Sequence, residues 1–139
     1  HDDKYSMNPP EGCTCIEDEV YEYEGVRFVG LGGSNRYKPG KNQYTEKQMT
    51  HRAKKLKWKI WRKKGFDILV THSPARGLND GEDMCHKGFE IFNKLIEEYK
   101  PKYFVHGHVH MCYGRNYKRI DHVGDTTVIN AYEKYILEL

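Results

Sequence analysis

Tyr103-Phe104-Val105-His106-Gly107-His108-Val109-His110 is the stretch that decides how this chain reads. Its opening residues are a short apolar run just after Pro101, the pattern of a buried strand. His108 and His110 stand two apart, so in extended chain they project to one side, and Gly107 permits a tight backbone there. Upstream, Ile68-Leu69-Val70 is a second apolar run, and it leads into Thr71-His72-Ser73-Pro74. Between the two runs, residues 85–99 read as a helix with Phe89, Phe92, Leu95 and Ile96 inward. A strand–helix–strand crossover makes the two strands parallel neighbours, and ligand sites in open α/β sheets gather at the carboxyl ends of such strands. Both histidine clusters then face one crevice, where converging imidazole nitrogens suit manganese, iron or zinc. A lone His at a strand end is ordinarily a hydrogen-bonded structural residue. Gly-His-x-His paired with Thr-His-x-Pro is far more specific. His106, which precedes the glycine on the strand itself, is left outside the set.

Working outward, residues 20–23 and 26–31 read as strands joined by a Glu24-Gly25 turn, and Gly32-Gly33-Ser34-Asn35 opens a polar loop to Tyr44. Thr45 with Gln48 makes a capping-box pattern, and Met49, Ala53, Leu56 and Ile60 form one helical stripe ending near Gly65. Residues 113–120, 126–130 and 135–137 read as shorter strands, and Asn8-Pro9-Pro10-Glu11-Gly12 as turn chemistry in an N-terminal loop. The order of elements indicates α/β architecture in one compact unit without repeats.

Bulk properties fit that reading. The 139 residues are 37% hydrophobic and 31% charged, a polar but globular balance in a chain long enough to bury a core. No apolar run is long enough to span a bilayer, and the first residues lack the apolar segment of a signal peptide. A net charge of +3 does not by itself call for a nucleic-acid partner. Cys13, Cys15, Cys85 and Cys112 contain no CxxC pair, so reduced thiols of a cytoplasmic protein are expected; a Cys/His zinc module is a weaker alternative.

Thr71-His72-Ser73-Pro74 and Gly107-His108-Val109-His110 resemble the fourth and fifth metal-binding blocks of calcineurin-like metallophosphoesterases. Gly30-Leu31-Gly32-Gly33-Ser34 and Thr127-Val128-Ile129-Asn130-Ala131 are similar to that family's central strand and final block. The resemblance implies a four-layer α/β/β/α sandwich with a mixed sheet. It also implies hydrolysis of phosphomonoesters or phosphodiesters by a hydroxide activated between two divalent ions (manganese, iron, zinc or nickel). On it, His72 and His108 bind one metal and His110 the other. His1-Asp2 looks like the tail of the third block, which makes His1 the histidine that assists the leaving group. The family's Asp-x-His, its bridging Asp and the Asn before His1 have no match here. The chain is therefore expected to be the C-terminal portion of one metallophosphoesterase domain. Its partner is an N-terminal half, on the same or a separate chain, and alone it is expected to be inactive.

Three further groups stand outside these blocks. Asp80, Asp83 and His86 follow His72; His86 is a candidate for the substrate pocket, and the two carboxylates for holding His72 by hydrogen bonds, while plain helix capping is the alternative. Arg36 and Tyr44, with Gln43, lie in the polar loop, where an arginine suits a phosphate. The helix at 45–64 carries Lys54, Lys55, Lys57, Lys59, Arg62, Lys63 and Lys64 interleaved with Trp58 and Trp61. A solvated basic face is the favoured reading of it. The alternative is a non-catalytic module of the same fold that binds nucleic acid through this helix.

Overall fold

The computed structural model describes residues 8–111 and 118–139. Six strands form a mixed sheet: β1 (Val20–Tyr23), β2 (Val26–Leu31), β5 (Ile68–Thr71), β6 (Tyr103–His106), β7 (Ile120–Val123) and β8 (Thr126–Asn130), in the order β1-β2-β5-β6-β8-β7. β2, β5, β6 and β8 run parallel, and β1 and β7 close the two sides as antiparallel hairpin arms. β3 (Ser34–Asn35) and β4 (Gln43–Tyr44) make a separate two-stranded sheet inside the polar loop.

Helix α1 (Glu46–Arg62) begins at the expected place. The Thr45 hydroxyl accepts from the Gln48 amide, and the Gln48 side chain accepts from the Thr45 amide, so two orphan donors of the first turn are satisfied. Its buried residues are Met49, Ala53, Leu56 and Ile60, the stripe read from the sequence. Helix α2 (Glu90–Tyr99) starts later than residue 85. The Asp83 carboxylate accepts from the amides of Cys85 and His86, and Asp80 accepts from that of Gly88. These carboxylates hold residues 85–88 in a turn, and Phe89 bridges Ala75 in extended conformation. Local side-chain acceptors thus outcompete the helix for those amides.

Both helices pack on one face of the sheet, where their apolar residues meet Val29, Leu31, Leu69, Phe104 and Val128 in a single core. This helix layer and sheet supply an α and a β layer of the expected sandwich. On the other face, Gly30, Val70, Val105 and Ile129 stand in one register row, with Val70 and Val105 half-buried. Two expectations need correction. Residues 135–137 form no strand, because β7 already occupies the edge beside β8 and Leu139 lies instead beside Ile68 and Tyr103 at the opposite end of the sheet. Of residues 113–120, only the end belongs to a described strand, and 112–117 lie outside the described residues. Among the described residues no helix is long and apolar enough to cross a membrane.

The N-terminal segment crosses the second face at Gly30, where Ile16 backbone and side chain occupy the place a Cβ would take. Gly30 donates to the Glu19 carbonyl, and its own carbonyl accepts from Asp18. Gly30→Ala forces that crossing apart, an overpacking cost of about 1–3 kcal/mol. A thermal melt should show a loss of at least about 4 °C; an unchanged midpoint would show that the crossing does not contribute to stability.

Candidate metal centre

The parallel register brings the ends of β5, β6 and β8 to one edge, and the chain turns sharply after each. The Gly107 amide donates to the His72 carbonyl (3.1 Å) and the Ala131 amide to the His106 carbonyl (2.7 Å), so the three connections are laced together beyond the last strand residues. Asn130, fully buried, donates from Nδ2 to the Val109 carbonyl (2.9 Å) and accepts the Tyr132 amide at Oδ1 (3.0 Å). That side chain ties the Gly-His-x-His loop to the end of β8. At the crown of the loop His108 adopts φ +64°, left-handed backbone that a residue with a Cβ takes at a cost of order 1–3 kcal/mol.

The turns bring four imidazoles to one cavity of about 440 Å³, whose lining includes His72, His86, His108, His110, Tyr132 and Glu133. His72 Nε2 and His108 Nδ1 stand 2.9 Å apart. His108 Nε2 lies 2.7 Å from the Cys85 carbonyl oxygen. A carbonyl can only accept, so Nε2 carries the proton and Nδ1 presents its lone pair toward His72. A metal-ligating histidine commonly donates its other ring N–H to a backbone carbonyl in this way. Burial holds both rings neutral: it pushes His72 down to about 4, with His108 and His110 adding to the effect, and it lowers His108 in the same direction. In octahedral coordination, two imidazole nitrogens bound at right angles with bonds of about 2.1 Å stand about 3.0 Å apart. The donor pair fits a divalent ion.

His110 reaches the same cavity with its ring stacked on Tyr132, centroids 4.6 Å apart. His86 joins from the turn before α2, its ring 5.1 Å from that of His108 and its Nδ1 2.9 Å from both oxygens of Asp83. That bond holds the Asp83 carboxyl below the usual carboxylate range. Cys85, His86 and His108 also lie close enough to hold an ion. However, Cys85 Sγ faces His108 Nε2 at 4.0 Å, the nitrogen already engaged by the Cys85 carbonyl, and burial raises the thiol above its ordinary value. Of the two groupings, His72 with His108 is the one that leaves the Cys85 carbonyl bond to His108 intact. Cys13 and Cys15 are exposed and join no such cluster among the described residues.

Other candidates stand elsewhere. Asp80 accepts from Gly88 and approaches Arg76, shaping the turn rather than touching His72. Arg36 lines a different cavity with Tyr37 and Lys38 and donates to the Gln43 carbonyl. The Tyr44 ring packs under the Arg52 guanidinium, 4.3 Å from its centroid. His1 lies outside the described residues. His106, on the helix side of β6, is buried with Nε2 unpartnered, and burial pushes it down to about 4. Tyr132, Glu133 and the Cys85 carbonyl escape sequence reading. Glu133 takes φ +63° just past β8, a backbone state no pattern announces.

The sequence profile of calcineurin-like phosphoesterases matches residues 1–112. The chain belongs to that family. It is 30% identical over 128 residues to UPF0046 protein C25E10.12 of Caenorhabditis elegans, covering 86% of this chain and 41% of the relative. It is 29% identical over 130 residues to the uncharacterized protein MJ1162 of Methanocaldococcus jannaschii, covering 86% of this chain and 54% of that one. The chain thus spans about half, or less, of the length of these relatives. Among solved structures, TT1561 of Thermus thermophilus superposes with a TM-score of 0.54 at 15% identity, over 84% of this chain and 48% of that one, which shows the shared fold.

The site's backbone and its protonation can each be tested. Glycine relieves the left-handed strain at 108, so His108→Gly should be more stable than His108→Ala by about 1 kcal/mol in urea unfolding, while both lose cobalt binding followed by its absorption bands. Equal stabilities would mean the φ value carries no strain. The second test concerns pH. An unfolded His106 takes up a proton near pH 6.5 and the folded one only near about 4, so between these values the unfolded state binds more protons and stability falls as pH drops. With a chelator present, His106→Leu should reduce the stability lost between about pH 7.5 and about pH 5 by about 2 kcal/mol, leaving the His72 contribution. An identical loss in both proteins would remove His106 as its source.

Proposed function

We propose that this chain contributes the histidine half of a dinuclear centre that hydrolyses phosphate esters. What carries the reading is the pair His72 Nε2 and His108 Nδ1, 2.9 Å apart, with the His108 tautomer set by the Cys85 carbonyl, in a chain of the calcineurin-like phosphoesterase family. His72 and His108 would hold one divalent ion and His110 the other. When bound, such ions polarise phosphoryl oxygens and activate water as a nucleophile.

The protein's own groups have distinct tasks in this reading. The Cys85 carbonyl keeps the His108 proton on Nε2, so its Nδ1 lone pair stays available. Tyr132 stacks on His110 and fixes its ring plane. His86, anchored through Nδ1 by Asp83, faces the same cavity as a contact for a phosphate oxygen. The His72, His108 and His110 imidazoles offer no negative charge against the mutual repulsion of two dications. Among the described residues Glu133 is the carboxylate that lines the cavity, and in this reading a bridging carboxylate would come from elsewhere in the protein.

The test is manganese-dependent hydrolysis of bis(p-nitrophenyl) phosphate and of p-nitrophenyl phosphate. The full-length protein carrying this chain should turn over one or both, and His72→Ala or His108→Ala should lower kcat/KM by about 100-fold or more. The 139-residue chain alone should show trace rates. Turnover that resists chelation, or survives His108→Ala, would sink the proposal. Brisk metal-dependent turnover by the short chain, lost on His108→Ala, would instead make Glu133 the bridging candidate, ahead of Asp80 and Asp83.

A further inference from the structure

The outward ridge of α1 differs from an ordinary solvated helix face in two respects. First, its charge is uncompensated selectively. Residues 47–66 contain no acidic side chain. Along the flanks of the helix, neighbouring elements supply the missing acids: Arg52 meets Glu17 and Asp18, Lys57 meets Glu98, Lys59 meets Glu19 and Lys63 meets Glu22. On the ridge itself, Lys47, Lys54, Lys55 and Arg62 are exposed and meet no carboxylate among the described residues. Second, Trp58 and Trp61 stand on that ridge 62% and 68% exposed, stacked on each other with centroids 4.9 Å apart. They lie opposite the stripe of Met49, Ala53, Leu56 and Ile60, so the core makes no use of them.

We infer that this ridge binds single-stranded nucleic acid, bases stacking on the Trp58–Trp61 pair while Lys47, Lys54, Lys55 and Arg62 neutralise phosphates. The inference is independent of the phosphoesterase reading. Flat indole faces beside uncompensated cations are the two components of a single-strand platform. The ridge from Lys47 to Arg62 is about 22 Å long, room for a short single-strand site of about 4 nucleotides or more. A duplex hides its base faces in the stack and leaves the indoles without a partner. A lipid surface requires a broad apolar helix face, and here every aliphatic residue of α1 that could supply one is committed to the core. An acidic peptide would satisfy the cations but give the indole pair nothing planar to stack on.

The experiment is fluorescence anisotropy of a labelled oligo-dT or oligo-U at low salt, with duplex DNA, polyglutamate and phosphatidylserine vesicles as comparators. The single strand should bind best and quench tryptophan emission. Trp58→Ala with Trp61→Ala should weaken it at least tenfold, whereas Trp58→Phe with Trp61→Phe should keep most of the affinity. Lys54→Gln, Lys55→Gln and Arg62→Gln together should reduce the log–log salt slope by about 2. All these side chains are exposed, so circular dichroism and melting temperature should match the parent in each variant. The inference is overturned if the oligonucleotide does not bind, if it binds no better than polyglutamate or duplex, if the double alanine variant binds equally well, or if the vesicles are the preferred ligand.

Discussion

Parallel hydrogen bonding across β5, β6 and β8 places their carboxyl ends side by side, with Val70 opposite Val105 and His106 opposite Asn130. Each chain must leave the sheet there, and each exit is tied to its neighbour by a backbone hydrogen bond. His72 follows the first exit, His108 and His110 the second, and Tyr132 and Glu133 the third. Their convergence is a property of strand register, so a slip of one residue in β6 would turn its histidines to the other face. The cavity therefore sits at the edge of the sheet core, in which Phe104 and Val128 are fully buried.

Alignment alone does not make a ligand. An imidazole exposed to water near neutral pH divides its population between charged and neutral forms, and between two neutral tautomers. Burial removes the first ambiguity for His72 and His108, and the Cys85 carbonyl removes the second for His108. Residues 85–88 are held in place to do so by Asp83 and Asp80, which take the amides that would otherwise have begun α2 earlier. The two carboxylates thus influence the site by deciding where a helix starts, and Asp83 additionally by anchoring His86.

Much of this was legible in the sequence because it is periodic or local. Alternation in β1, the apolar runs of β5 and β6, the capping box of α1 and its buried stripe all express short-range rules, and the histidine blocks stand directly after strands. What was not legible depended on partners distant in the chain. The late start of α2 needed knowledge that Phe89 bridges Ala75. The failure of residues 135–137 to form a strand followed from β7 taking the edge. Arg36 and Tyr44 read as candidates from the polar loop; in the fold Arg36 donates to the Gln43 carbonyl and Tyr44 packs under Arg52, partners that the local pattern does not announce. The roles of Cys85 and Glu133 rest on a backbone oxygen and on a left-handed residue, neither of which leaves a mark in side-chain pattern.

The left-handed backbone at His108 also narrows what evolution can place there. β-Branched residues are penalised in that conformation, while Gly tolerates it best and Asn, Asp and His are the side chains it favours. Glycine offers no donor atom. Of the residues the backbone accepts readily, Asn and Asp can bind an ion through oxygen and His through nitrogen. Harder ions such as magnesium or calcium prefer oxygen, and imidazole suits the later transition metals. At this position, the geometry of one peptide unit therefore couples the identity of the residue to the hardness of the metal it can serve.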